Sequence, residues 1–98
     1  MKLKNMYPGE ILMEEFLSPL NITAYKLSKD IGIPQTRVSE IFKENRRITA
    51  DTAIRLSQYF GNSAKFWLGI QNDFDIEEEL SSKRTSLTSI KSFDAKIV

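Results

Sequence analysis

The stretch from Thr23 to Phe42, TAYKLSKDIGIPQTRVSEIF, constrains this chain most. Thr23 is a good helix N-cap, with a hydroxyl able to accept an orphan backbone N–H. Ala24, Leu27 and Ile31 recur at helical spacing, which gives Ala24 to Ile31 one apolar face. Gly32 stands where a helix end favours a left-handed residue. Ile33 is placed to plug the angle between two helices. Pro34 suits the first turn of the second, where a missing N–H costs nothing. In that second helix Val38, Ile41 and Phe42 point inward. Thr36, Ser39, Glu40 and Lys43, flanked by Gln35 and Arg37, point outward, and each can form hydrogen bonds. Two short helices about a tight turn, the second with a polar free face, form a helix-turn-helix pattern whose second helix can enter a DNA groove.

The remainder of the chain reads as helices around this pair. A short polar arm, Met1 to Tyr7, carries Lys2 and Lys4, either free in solvent or in reach of a phosphate. A first helix is expected from Pro8 or Gly9 to Leu17, burying Ile11, Leu12, Phe16 and Leu17, with Ser18-Pro19-Leu20-Asn21 as its stop. After the central pair, Thr49 caps a fourth helix with Ile48 as a hydrophobic staple. Ala53, Leu56 and Phe60 form its inner stripe and Gly61 its end. Ser63 caps a fifth helix to about Asn72, and the acidic run to Leu80 can add one or two turns. The apolar residues Phe66, Trp67, Leu68 and Ile70 span roughly 200° of its wheel, at 100° per residue, more than one core-facing stripe needs. From Ser81 to Val98 the composition turns to Ser, Thr and Lys with scattered Leu87, Ile90, Phe93, Ile97 and Val98. Whether this tail is flexible, a helix or a strand stays open at this level. The expected organisation is therefore one all-α domain over residues 1–80, with a tail over 81–98.

Composition excludes more than it assigns. The chain has 98 residues, enough for one modest core, and is 41% hydrophobic and 28% charged, as a soluble globular domain is. It has no cysteine and no histidine, which removes disulfides, thiolate nucleophiles, the commonest metal ligand and the commonest general base. Glu14-Glu15 and Glu77-Glu78-Glu79 are adjacent on helices, so they do not converge on one point and read as solvated faces. No metal, cofactor or enzymatic chemistry is expected. Apolar runs stop at three or four residues and the N-terminus lacks a signal peptide's apolar core, so a cytoplasmic, membrane-free protein is expected. Net charge is only +1, but Arg37 to Arg47 carries four basic and two acidic residues, while Asp73 to Glu79 carries five acidic residues and no basic one. A basic edge beside the polar helix suits contact with phosphate on one side only; a mixed solvated surface is the alternative.

At several points the residues resemble a known family. Pro8-Gly9-Glu10-Ile11-Leu12, followed by Glu14-Glu15-Phe16-Leu17, is similar to the opening of the HigA/VapI antitoxins, within the lambda-repressor-like (XRE) helix-turn-helix class. The likeness continues through Arg37-Val38-Ser39-Glu40-Ile41, Arg47-Ile48-Thr49-Ala50-Asp51-Thr52-Ala53, Tyr59-Phe60-Gly61 and Phe66-Trp67-Leu68. It covers roughly residues 7–72. Two positions depart from it: Tyr7 stands where the family often has His, and Glu44 where it often has Gly. The resemblance implies a five-helix lambda-repressor-like domain and a homodimer formed largely through the fifth-helix region, about residues 63–72. It further implies binding to a palindromic operator in double-stranded DNA, autorepression of the protein's own operon, and neutralisation of a toxin, typically a HigB-like mRNA endonuclease. A stand-alone phage-type regulator without a toxin is the alternative.

Residue by residue, Gln35, Thr36, Arg37, Ser39 and Glu40 are the expected base readers. Arg can take both guanine acceptors, Gln can pair adenine, Thr can meet a thymine methyl, and Glu can accept from cytosine or brace Arg37. Thr36 and Arg37 are the strongest of these. Lys26, Lys43, Asn45, Arg46 and Arg47 are the expected phosphate contacts, which fix register without reading sequence. Phe66, Trp67, Leu68 and Ile70 are the expected dimer interface, with burial in the protomer's own core as the competing reading.

Overall fold

The computed structural model describes residues 5–93; Lys2, Lys4, Ile97 and Val98 lie outside the described residues. Six helices follow in order. Helix α1 runs without a break through Pro8–Ile11, Leu12–Leu17 and Ser18–Leu20. Then come α2 (Ala24–Ile31), α3 (Gln35–Phe42), α4 (Ala50–Phe60), α5 (Ala64–Ser82) and α6 (Arg84–Thr88). The described residues contain no strand.

The starts and stops follow from local chemistry. Thr23, Thr49 and Ser63 each accept the backbone N–H three residues on, from Lys26, Thr52 and Phe66, satisfying donors that the first helical turn leaves open. Gly32 and Gly61 take φ of 73° and 78°, the left-handed conformation that ends α2 and α4. Pro34 sits one place earlier than expected: it is the extended cap residue before α3, and its carbonyl accepts from Arg37 and Val38.

One boundary differs from the sequence reading. Helix α1 does not stop at Leu17 but passes Pro19 and ends at Asn21, which has φ of 56°. The cause lies in Leu12–Leu17, which are π-helical: the Ser18 N–H reaches Met13 O, five residues back. Pro19 therefore falls at the seam between two hydrogen-bond registers, where its missing donor and ring do least harm. Helix α5 takes in the acidic run, as its sequence allowed, and ends at Ser82, with i,i+4 pairing of Glu79 with Lys83 at 2.7 Å. The tail adds the short α6.

The core gathers Leu12 and Leu17 of α1, Leu27 and Ile31 of α2, Ile33 of the turn, Val38 and Ile41 of α3, Ile48, Ala53 and Leu56, and Trp67 of α5. Trp67 is fully buried, its ring centroid 4.7 Å from Phe16 and 6.0 Å from Phe60, and its Nε1 donates to Asn62 Oδ1 at 2.8 Å. The indole thus fills the core without stranding a donor. Helix α3 is held from behind by α1. A Cβ at Gly9 would lie 2.0 Å from Ile41 O, so only glycine permits this approach. The Gly9→Ala variant should lose about 3 kcal/mol of stability, because the obstacle is backbone and cannot swing aside. Urea unfolding measures it; an unchanged midpoint would show that α1 and α3 are not in such close contact.

Candidate nucleic-acid interface

Helix α3 buries Val38 and Ile41 and leaves Phe42 half-buried, as its period required. On its other side Gln35, Thr36, Ser39, Glu40 and Lys43 line one shallow, open depression. Five side chains offer donors and acceptors there, on a helix fixed from below. Arg37 is not among them. It leans toward α4, where its Nη1 stands 3.9 Å from Asp51 Oδ2. The structure therefore separates Thr36 and Arg37: the first is on the open face and the second on its flank.

Glu40, a candidate either to accept from cytosine or to brace Arg37, is paired with neither of these in the protein alone but with Arg46. Glu40 Oε1 accepts from Arg46 Nε at 2.7 Å, tying the loop after α3 back to the helix. Asp51 takes Arg37 into a second group, accepting from Arg55 Nε at 3.0 Å. Arg55 Nη1 in turn donates to Ile31 O at 2.7 Å, so the turn between α2 and α3 is clamped from α4. The Asp51–Arg55 spacing of four was readable as a helical ion pair; the reach to Ile31 was not, because it crosses 24 residues.

The basic loop is anchored at its far end. Arg47 pairs with Asp75 of α5, whose other oxygen accepts from Gln71 Nε2 at 3.1 Å. Gln71, only 5% exposed, accepts from Ile48 N–H at 2.8 Å. A buried amide satisfied at both ends is worth keeping, since leaving either end unpaired costs about 1–3 kcal/mol. Glu44 within the loop has φ of 64°, a conformation glycine adopts freely and most other residues avoid. Lys43, Asn45 and Arg46 are exposed around it. Tyr7, which the sequence reading left in a free arm, donates its hydroxyl to Phe42 O at 2.6 Å, and Asn5 donates to Phe74 O at 3.2 Å. Residues 5–7 are thus packed onto α3 and α5, which sequence spacing could not show.

Lys26, in the first turn of α2, is exposed and bonds Asp30 Oδ2 at 2.9 Å. The same carboxylate oxygen accepts from the Tyr59 hydroxyl at 2.6 Å, joining α2 to α4. The Tyr59 hydrogen bond, then Lys26, holds the Asp30 carboxyl below its ordinary range, and the bond to Asp30 raises the Tyr59 hydroxyl and the Lys26 ammonium above theirs. Among the expected interface residues, Trp67 has no surface left to offer a partner, because it is consumed by the protomer's own core. Leu68 and Ile70 are half-buried against that core, and Phe66 remains 40% exposed.

Comparison with known proteins decides the family. A helix-turn-helix family model matches residues 12–67. Virulence-associated protein I of Dichelobacter nodosus is 42% identical over 80 residues, spanning 82% of this chain and 74% of that protein. The chain belongs to the helix-turn-helix family, of the HigA/VapI type. Antitoxin HigA-1 of Vibrio cholerae is 38% identical over 68 residues, covering 69% of this chain and 64% of that protein. The solved structure of Pseudomonas aeruginosa antitoxin HigA with the higBA promoter superposes with a TM-score of 0.86 at 32% identity, covering 93% of this chain and all of that one. The family is one of DNA-binding regulators and antitoxins, not of enzymes. Among the described residues no helix is long and apolar enough to cross a membrane.

The Asp30–Tyr59 bond generates a pH-dependent prediction. A lowered carboxyl contributes stability above its unfolded pKa and loses it as pH falls through the folded value. A raised hydroxyl contributes below its unfolded pKa and loses it as pH rises through the folded value. The stability gap between wild type and Tyr59→Phe should therefore be open at neutral pH and close in acid and in strong alkali. Thermal melts from pH 3 to 11 measure it; a gap that ignored pH would show that the bond is not formed.

Proposed function

We propose that this chain is a dimeric, sequence-specific DNA-binding antitoxin that represses its own operon in the cytoplasm and neutralises a HigB-like mRNA endonuclease. The carrying observation is the open polar face of α3, five hydrogen-bonding side chains on a helix wedged against α1 and clamped at its turn by Arg55. An α-helix presenting such a face fits the major groove, where each base pair offers a distinct donor and acceptor pattern. The solved HigA relative that superposes on this fold is in complex with promoter DNA, which supports the same mode here. The toxin partner and autorepression are inferred from the HigA relatives.

Residues 1–80 form the DNA-binding unit in this reading and 81–98 an appendage. Two copies set their α3 helices in successive major grooves about 34 Å apart. Gln35, Thr36, Ser39 and Glu40 meet base edges. Arg37, drawn to the flank by Asp51, works at the rim of the groove. Lys43, Asn45, Arg46 and Lys26 meet phosphates, and Arg47 holds the loop to α5. Arg46 can exchange Glu40 for a phosphate at little cost, because both are half-exposed and such surface pairs are weak.

The test is a gel shift on the protein's own promoter. Thr36→Ala should weaken specific binding by about 1–3 kcal/mol and relax preference at one base position. Lys43→Ala should weaken binding to all sequences alike and lower the salt slope by about 0.9. Equal, sequence-blind binding by wild type and Thr36→Ala would overturn the reading. Toxin neutralisation is checked by co-expression with a short toxin-like reading frame adjoining the gene; failure to rescue growth would leave a stand-alone regulator.

A further inference from the structure

Helix α3 closes on a residue ill suited to its place. The Asn45 N–H donates to Glu40 O at 2.9 Å and the Glu44 N–H to Ile41 O at 3.2 Å. This paired closure sets a left-handed residue at the position Glu44 fills, and its φ is 64°. Gly32 and Gly61 take the same conformation at the ends of α2 and α4 with no side chain in the way. The carboxylate adds a second cost, because a helix C-terminus carries partial negative charge and favours a cation. Arg46 and Arg47 line the same small recess as Glu44 but are taken by Glu40 and Asp75. Among the described residues no cation pairs with Glu44. Both costs fall in the loop whose other side chains are proposed to meet phosphate, and strain held beside a binding surface points to a functional constraint.

We propose that Glu44 is an electrostatic brake on DNA binding: its carboxylate repels the phosphates beside the loop and holds affinity down for every sequence alike. The inference rests on the DNA-binding reading above and adds a residue that acts against binding rather than for it. Lys43, immediately before Glu44, lines the open face of α3, and exposed Asn45 and Arg46 follow. Consecutive Cα atoms are about 3.8 Å apart, so the Glu44 charge lies on the order of one screening length, about 10 Å at 0.1 M salt, from a phosphate these residues meet. At about 5–10 Å in a water-like dielectric, one unit charge changes binding by about twofold to fourfold per phosphate. Such repulsion carries no base information, so it lowers binding to operator and bulk DNA together and leaves their ratio intact. It works in the same direction as the carboxylates that hold the arginines, and keeps a nearly neutral protein off DNA that is not its operator.

Substitution separates charge from strain, read by urea unfolding and by titration onto the protein's own promoter DNA and onto an unrelated duplex. Glu44→Gln removes the charge and keeps the strain. Glu44→Asp keeps the charge in a residue that tolerates the left-handed region better, and Glu44→Gly removes both. At about 50 mM salt, Glu44→Gln and Glu44→Gly should each tighten binding to both duplexes by about threefold to tenfold, with Glu44→Asp within about twofold of wild type. The gain should shrink as salt rises, steepening the salt slope by up to about 0.9. Glu44→Gly should also raise the urea midpoint most, since it alone relieves strain and charge together. Unchanged or weaker binding by Glu44→Gln, with wild type still gripping DNA, would overturn the brake; a loss on promoter DNA alone would make Glu44 a base contact instead. A wild type that binds neither duplex would overturn the brake and the DNA-binding reading together.

Discussion

The backbone of α1 at Gly9 lies so close to Ile41 O that no side chain fits between them, and the presentation of α3 depends on that approach. A helix that is to carry five polar side chains outward needs a firm seat, because eight residues make too few hydrogen bonds to be stable alone. Val38 and Ile41 provide the apolar underside, Gly9 lets α1 close on it, and Tyr7 takes the Phe42 carbonyl that the helix end leaves open. Fully buried Trp67, packed on Phe16 of α1 and Phe60 of α4, holds the other side of that same bundle. The polar face is free because everything beneath it is fixed.

Four arginines and Lys26 around the α3 face are each held by a carboxylate. Arg37 and Arg55 share Asp51, Arg46 has Glu40, Arg47 has Asp75, and Lys26 has Asp30. These pairs are exposed, so each adds little to stability. Their effect is on position. They hold long side chains near the intended surface, join the loop and turn to α4 and α5, and keep a nearly neutral protein from gripping any polyanion it meets. The exchange of a weak carboxylate partner for a phosphate then costs little, which suits a protein whose binding has to be selective rather than merely tight.

Much of the fold was legible in the sequence because it is local. Thr23, Thr49 and Ser63 act as caps on the residues three places on, Gly32 and Gly61 end their helices, and the apolar period of α3 predicted its buried face. Where the reading went astray the cause was also physical. Pro19 looked like a stop, but a π-helical turn before it moved the hydrogen-bond register and let the helix continue. Trp67 looked like interface because the apolar arc of α5 is wide. It proved to be core because Phe16 and Phe60, 51 and 7 residues away in sequence, close around it.

The sequence by itself determined the central pair of helices, the caps at Thr23, Thr49 and Ser63, the helix ends at Gly32 and Gly61, and the polarity of the α3 face. All of these depend on residue type and on neighbours within about four positions. Only the tertiary structure decided that Arg37 lies on the flank of that face, that Glu40 holds Arg46 rather than Arg37, that Arg47 is bound to α5 through Asp75, and that Tyr7 is half-buried against the end of α3 rather than in a free arm. Each of those depends on which helices meet. A side chain's periodicity fixes the direction in which it leaves its own helix, but its partner is set by packing across tens of residues.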